Sequence, residues 1–194
     1  MASSLIACGS DDAIDSDEEA RRTYLALDAS IGKSLTLGFE GFGVGDNANI
    51  PDQMTTGVEA GTLLITGKVD AGNSDNKGMK LNVGMVDYSD GAVEINDDGE
   101  TVLIVFNTDP DPLLQPLFDM KLMNYPNGTF LGTLIGTYFM SGDDINGEAA
   151  INVSFTGETQ DDGTGATERK PGTIQITGSV VTEDGGTFVV DVTL

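Results

Sequence analysis

The chain has 194 residues, with 9 Lys+Arg against 32 Asp+Glu, a formal net charge of −23, no histidine, no tryptophan and one cysteine. Without histidine there is no Ser-His-Asp or Cys-His nucleophile and no imidazole metal ligand, and one cysteine forbids an intramolecular disulfide or a single-chain thiolate cluster. The charge opposes binding to nucleic acid or anionic lipid, while 39% hydrophobic content is enough for one domain with a core.

The chain opens MASSLIACGSDD. Leu5-Ile6-Ala7-Cys8 resembles the lipobox of bacterial lipoproteins: a branched apolar residue three places before the cysteine and a small one directly before it. The resemblance implies that Cys8 is acylated and becomes the mature N-terminus. Gly9 follows where many lipoproteins of the inner membrane carry Asp, which implies the outer membrane or cell surface. A full signal has a basic region and about 7–15 apolar residues before its cleavage site. Residues 1–8 therefore read as the remnant of such a signal. Residues 9–16 read as an acidic tether, too polar to fold alone. No other stretch approaches the 18 or so apolar residues of a membrane-spanning helix, so the expected membrane partner is reached through the acyl anchor.

Residues 17–194 read as a single domain. Ser16-Asp17-Glu18-Glu19 has the S-x-x-E spacing of a capping box, with acids where a helix dipole favours them. Tyr24, Leu27, Ile31 and Leu35 then recur at three- and four-residue steps, and Phe39 and Phe42 could extend the stripe. Gly32 and Gly38 each weaken a helix by about 1 kcal/mol relative to Ala, so the helix is predicted over about 17–37. A loop is predicted over about 43–56, with Pro51 in it.

From about residue 57 to 194 the period becomes two. Leu63, Ile65 and Val69 alternate with polar residues, as do Leu81, Val83 and Met85, and Ile151, Val153 and Phe155. Turn signals separate the runs, among them Ser89-Asp90-Gly91, Pro126-Asn127-Gly128 and Asn146-Gly147. Short turns join antiparallel neighbours. Residues 109–116, with three prolines, cannot form a central strand, and 159–171 read as a second long, polar loop. Residues 102–106 and 130–140 are apolar on both faces, predicting strands covered on both sides. The stretches 61–69 and 172–180 echo each other, each with Thr-Gly before its end, which reads as a bulge that bends the strand. The fold class predicted is mainly β (α+β): the N-terminal helix packed on an antiparallel meander of about nine strands, curled into a barrel or half-barrel. A two-sheet β-sandwich is the alternative.

Among chemical groups only carboxylates are abundant, and they fall mostly in turns, where solvated charge accounts for them. Lys33, Lys68 and Lys121 carry no nucleophile signature, and Gly41, Gly43 and Gly45 lack the strand–helix context of a phosphate loop. Acid and amide clusters at residues 73–76, 109–111, 143–146 and 161–162 make calcium a candidate partner that no complete motif specifies. Met79, Met85, Met120, Met123 and Met140 lie in or beside strands, where they would line a barrel cavity or fill a core. No catalytic residue, metal site or cofactor is assigned, and Cys8 is the one site residue. The function expected is a non-catalytic, lipid-anchored envelope or cell-surface β-domain that binds or supports. Its partner is a protein or a small apolar ligand. A carrier of a small apolar ligand and a carboxylate-based hydrolase are the alternatives.

Overall fold

The structure is a computed structural model and describes residues 14–44, 49–70, 74–94, 98–142 and 145–194. Cys8, the whole of residues 1–13 and the side chain of Phe42 lie outside what is described.

The helix α1 runs Asp17–Val44. Its start is capped from both sides: the Glu19 N–H donates to Ser16 Oγ at 3.2 Å, and the Glu19 carboxylate accepts from the Asp15 N–H at 2.7 Å. The apolar stripe is buried along its length, with Tyr24, Leu27, Ile31, Leu35 and Phe39 all in the core. The helix outruns its predicted end because its glycines are where other groups come closest. A Cβ on Gly38 would lie 2.5 Å from Leu81 Cδ1, and one on Gly32 would lie 2.9 Å from the Arg169 guanidinium. Tight packing at these positions offsets the intrinsic cost of glycine in a helix. No helix among the described residues is long and apolar enough to cross a membrane.

Eleven strands follow: β1 Asn49–Thr56, β2 Ala60–Val69, β3 Lys77–Ser89, β4 Ala92–Glu94, β5 Thr101–Asn107, β6 Leu117–Met123, β7 Thr129–Gly142, β8 Gly147–Asp161, β9 Thr167–Arg169, β10 Gln175–Thr182 and β11 Thr187–Thr193. All belong to one sheet, and the pairings are antiparallel throughout. There is thus one continuous sheet in place of two stacked ones. The path is β1-β2-β3-β5-β7-β8-β10-β11. Strand β6 lies in the same rank as β5, since both pair with β3 and β7, and the proline segment between them interrupts that rank. The short strands β4 and β9 hang on β5 and β8.

The predicted loop over 43–56 is corrected by β1. Pro51 sits at an irregularity in the β1–β2 register, between Ile50 and Gln53, and β1 ends the sheet path. A bulged edge strand is where a proline's missing N–H is tolerated. The predicted polar loop over 159–171 is in part a hairpin, because β8 continues to Asp161 and β9 folds back on it. These two strands, with β4 and the broken β5/β6 rank, raise the count above nine. At Gly178 the register runs unbroken on both sides, so that glycine is no bulge. A Cβ there would meet the Asn152 carbonyl oxygen at 2.2 Å.

Alternation divides the sheet into an inner and an outer face. Leu63 and Ile65, Leu81 and Val83, Phe118 and Met120, Leu134 and Tyr138, Ile151 and Val153, and Ile176 and Val180 are buried with the helix stripe in one cluster. The helix touches β1 and β11, the two ends of the sheet path, as well as β2, β4, β5 and β9. The two runs predicted to be covered on both sides are covered on one only. Leu103, Leu131, Ile135 and Phe139 point outward and are exposed, because the helix occupies the inner face alone. A Cβ on Gly132 would lie 2.9 Å from both Met120 and Phe155, and one on Gly136 2.3 Å from Pro116.

This division has a direct test in two phenylalanines of opposite face. Phe118 is 0% and Phe139 is 41% exposed. Phe118→Ala is expected to cost about 3–5 kcal/mol in urea unfolding, and Phe139→Ala under about 1 kcal/mol. Equal losses would mean that the faces are misassigned.

Candidate functional site

Two polar seams fasten the helix to the sheet. On one side Arg169, delivered by β9, grips Asp28 through two parallel bonds of 2.8 Å, and its Nη2 also donates to the Asp28 carbonyl at 3.2 Å. The Tyr24 hydroxyl donates to the same carboxylate at 3.3 Å. Both side chains of the ion pair are largely buried, so removing either would strand the other's charge. Burial, then the Asp28 charge, pushes the Tyr24 phenol well above its ordinary pKa. On the other side Lys33 pairs with Asp90 and lies 5.7 Å from the centre of the Tyr88 ring. Asp90 also accepts from the Tyr88 hydroxyl at 2.8 Å and from the Val58 N–H at 3.1 Å. Burial works to raise the Asp90 pKa, but the bonds from Lys33, Tyr88 and Val58 outweigh it and hold the carboxyl below its ordinary value. Lys33 is therefore a fastener with its charge matched, not a free nucleophile.

The acid clusters serve the backbone. Asp109 accepts from the Asp111 N–H at 2.8 Å and Asp111 from the Leu113 N–H at 2.9 Å. Asp161 accepts from the N–H groups of Gly163 and Gly165, and Asp162 from those of Thr164 and Ala166. These are side-chain-closed turns. Among the described residues no three or more Asp, Glu or Cys side chains converge as they would to hold a metal ion. Asn73, Asp143 and Asp144 lie outside them. Among the described residues, the carboxyls whose pKa departs clearly from the ordinary value, Glu18, Asp90, Asp162 and Asp184, are all displaced downward. A general acid at neutral pH needs the opposite displacement.

Met79, Met85, Met120 and Met140 are buried in the common core, and Met123 is exposed. Two of the methionines lie over glycines: a Cβ at Gly38 would lie 3.4 Å from Met79 Cε, and one at Gly132 would lie 2.9 Å from Met120 Cγ. An open concavity of about 230 Å³ lies at the seam of α1 and β1, beside Lys33, Thr36, Leu37 and Thr55. A trough of about 430 Å³ lies over β6, β7 and β8, with Asp119, Lys121, Leu131 and Thr156 in its lining. No methionine lines either one.

The most distinctive surface is outside, where residues 108–116 break the β5/β6 rank. The segment is held at every step. Thr108 exchanges two bonds with the Met85 backbone, Asn82 donates to the Pro112 carbonyl, the Val83 N–H donates to the Pro116 carbonyl, and Asp109 and Asp111 close turns within it. Pro116 fits the space left by the absent side chain of Gly136, and Gln115 lies over Gly84. At the top of this braced segment Leu113 is 89% and Leu114 62% exposed. Val86 on β3 and Ile135 and Phe139 on β7 are exposed on either side of it. Sequence reading singled out the prolines as a strand break. The signal it passed over is the leucine pair between them, in a segment with no apolar periodicity to bury it.

Comparison with protein-family models, with curated proteins and with solved structures yields no match to this chain.

The Lys33–Asp90 seam makes a pH-dependent contribution that a single substitution isolates. With the folded pKa of Asp90 below 3.8, its stabilisation is complete above that value and is lost as pH falls through the folded pKa. In urea titrations, Asp90→Asn is expected to lower stability at pH 7, with a deficit that shrinks once the pH drops below about 4. A deficit that stays constant into strong acid would contradict the assignment.

Proposed function

We propose that this chain is a non-catalytic, lipid-anchored β-domain of a bacterial envelope or cell surface, with a binding or structural role. The observation that carries the reading is the contrast between inside and outside. Among the described residues the α1 stripe and four strand methionines are buried in one cluster, while large apolar residues gather on the outer wall around a braced segment. A carrier of a small apolar ligand needs the reverse, an enclosed cavity behind the wall. A carboxylate hydrolase needs a cleft with a raised acid.

In this reading the sheet curls into a half-barrel of eight ranks, and α1 stands in the gap between its first and last strands. The contacts of α1 with both β1 and β11 support that arrangement. Cys8, within the lipobox-like Leu5-Ile6-Ala7-Cys8, carries the acyl chains, and residues 9–16 tether the domain to an outer-membrane or cell-surface bilayer. A net charge of −23 keeps the domain away from nucleic acid and from anionic headgroups.

The anchor is tested by expressing the full-length protein and Cys8→Ser in a bacterial host and partitioning each between detergent and aqueous phases. The parent is expected in the detergent phase and the variant in the aqueous phase. Equal partition would overturn the anchored reading.

A further inference from the structure

The outer-wall surface can be taken further, on the footing that the domain binds. The five exposed residues Val86, Leu113, Leu114, Ile135 and Phe139 do not scatter. Asn107 pairs with Phe139 and Leu117 with Ile135, so both β7 side chains flank the segment between Asn107 and Leu117. Val86 flanks it from β3, where Met85 bonds to Thr108 and the Asp87 N–H donates to Asn107 Oδ1. Leucines exposed on a backbone already fixed by turns and prolines lose little further freedom on binding, which is the economy of a preorganised anchor.

The border of this surface is acidic. Asp109 and Asp111 lie within the segment, Asp87 lies beside it, and Glu148 is the cross-strand partner of Phe139. Cations near it are few: Lys121 is the one Lys or Arg between residues 81 and 168, and Lys80, toward the Ile135 end, is paired with Asp119. An apolar centre whose border carries a net negative charge is complementary to an apolar groove bordered by cations. Anionic membrane surfaces are repelled by the same border. A second copy of this chain would bring −23 against −23.

We infer that Val86, Leu113, Leu114, Ile135 and Phe139 form a docking surface for a protein whose apolar groove is bordered by lysine or arginine, with the Leu113–Leu114 pair as the anchor. Asp87, Asp109, Asp111 and Glu148 steer and register the encounter.

The test uses the full chain carrying Cys8→Ser, so that its outcome does not depend on acylation. Isotope-labelled protein is titrated with an amphipathic helical peptide of leucine and lysine alone, and with a serine–lysine peptide of equal charge. The leucine–lysine peptide is expected to perturb the methyl signals of Val86, Leu113, Leu114 and Ile135 together. Replacing both anchor residues, Leu113→Ser with Leu114→Ser, should weaken it about tenfold or more while leaving the serine–lysine peptide unaffected. Both leucines are exposed, so thermal melts should show the variant folded. Equal affinity of the leucine–lysine peptide for parent and variant, or perturbations centred elsewhere, would overturn the inference. So would flotation with phosphatidylcholine vesicles that depends on Leu113, which would make the segment a membrane contact instead.

Discussion

An amphipathic helix cannot hide its apolar stripe in water by itself, and a single sheet with one apolar face cannot either. In this chain each covers the other. Tyr24, Leu27, Ile31, Leu35 and Phe39 project into the same cluster as inward side chains from almost every long strand, and the helix reaches both ends of the sheet path. The consequence for function is spatial. With the helix stripe and the inward side chains in one buried cluster, the docking surface proposed above falls on the outer face.

The chain's few cations serve this arrangement. Of 9 Lys+Arg residues, Arg169 and Lys33 fasten the helix to opposite parts of the sheet, each against a carboxylate with further hydrogen bonds. Arg22 ties the first turns of α1 to Glu100 at the head of β5, and the carboxylate of Asp17 accepts from the Val189 N–H of β11. Lys80 is paired with Asp119 on the sheet, and around the segment 108–116 lie the carboxylates of Asp87, Asp109, Asp111 and Glu148. The same scarcity of cations underlies the charge complementarity of the proposed docking surface. Inside the core, the Tyr138 hydroxyl and Thr23 Oγ1 are buried without a partner, at a cost of about 1–3 kcal/mol each.

Periodicity carried much of the fold. The helix stripe from Tyr24 to Phe39 and the inward residues of β2, β3 and β8 lie where spacing placed them, because burial on one face is a local pattern. What spacing could not reveal depended on distant partners. Gly38 reads as a helix breaker until Leu81 is seen against it, and Pro51 reads as a loop until β1 is known to end the sheet. Leu103, Leu131, Ile135 and Phe139 looked like residues awaiting cover, since hydrophobicity alone does not distinguish a buried face from one exposed for binding. Arg169 was invisible for another reason: it sits in a polar stretch that folds back as β9 only after Asp161 and Asp162 turn the chain.

The dependence of helix and sheet on one another is tested most directly by native-state hydrogen exchange on the full chain. If α1 is an integral wall of the core, the amides of Leu27, Ile31 and Leu35 will exchange only through global unfolding, with the same opening free energy as those of Leu81, Leu134 and Ile151. Helix amides that open at much lower free energy while the sheet stays protected would mean that the sheet is stable without α1, and the account built on their shared interior would fail.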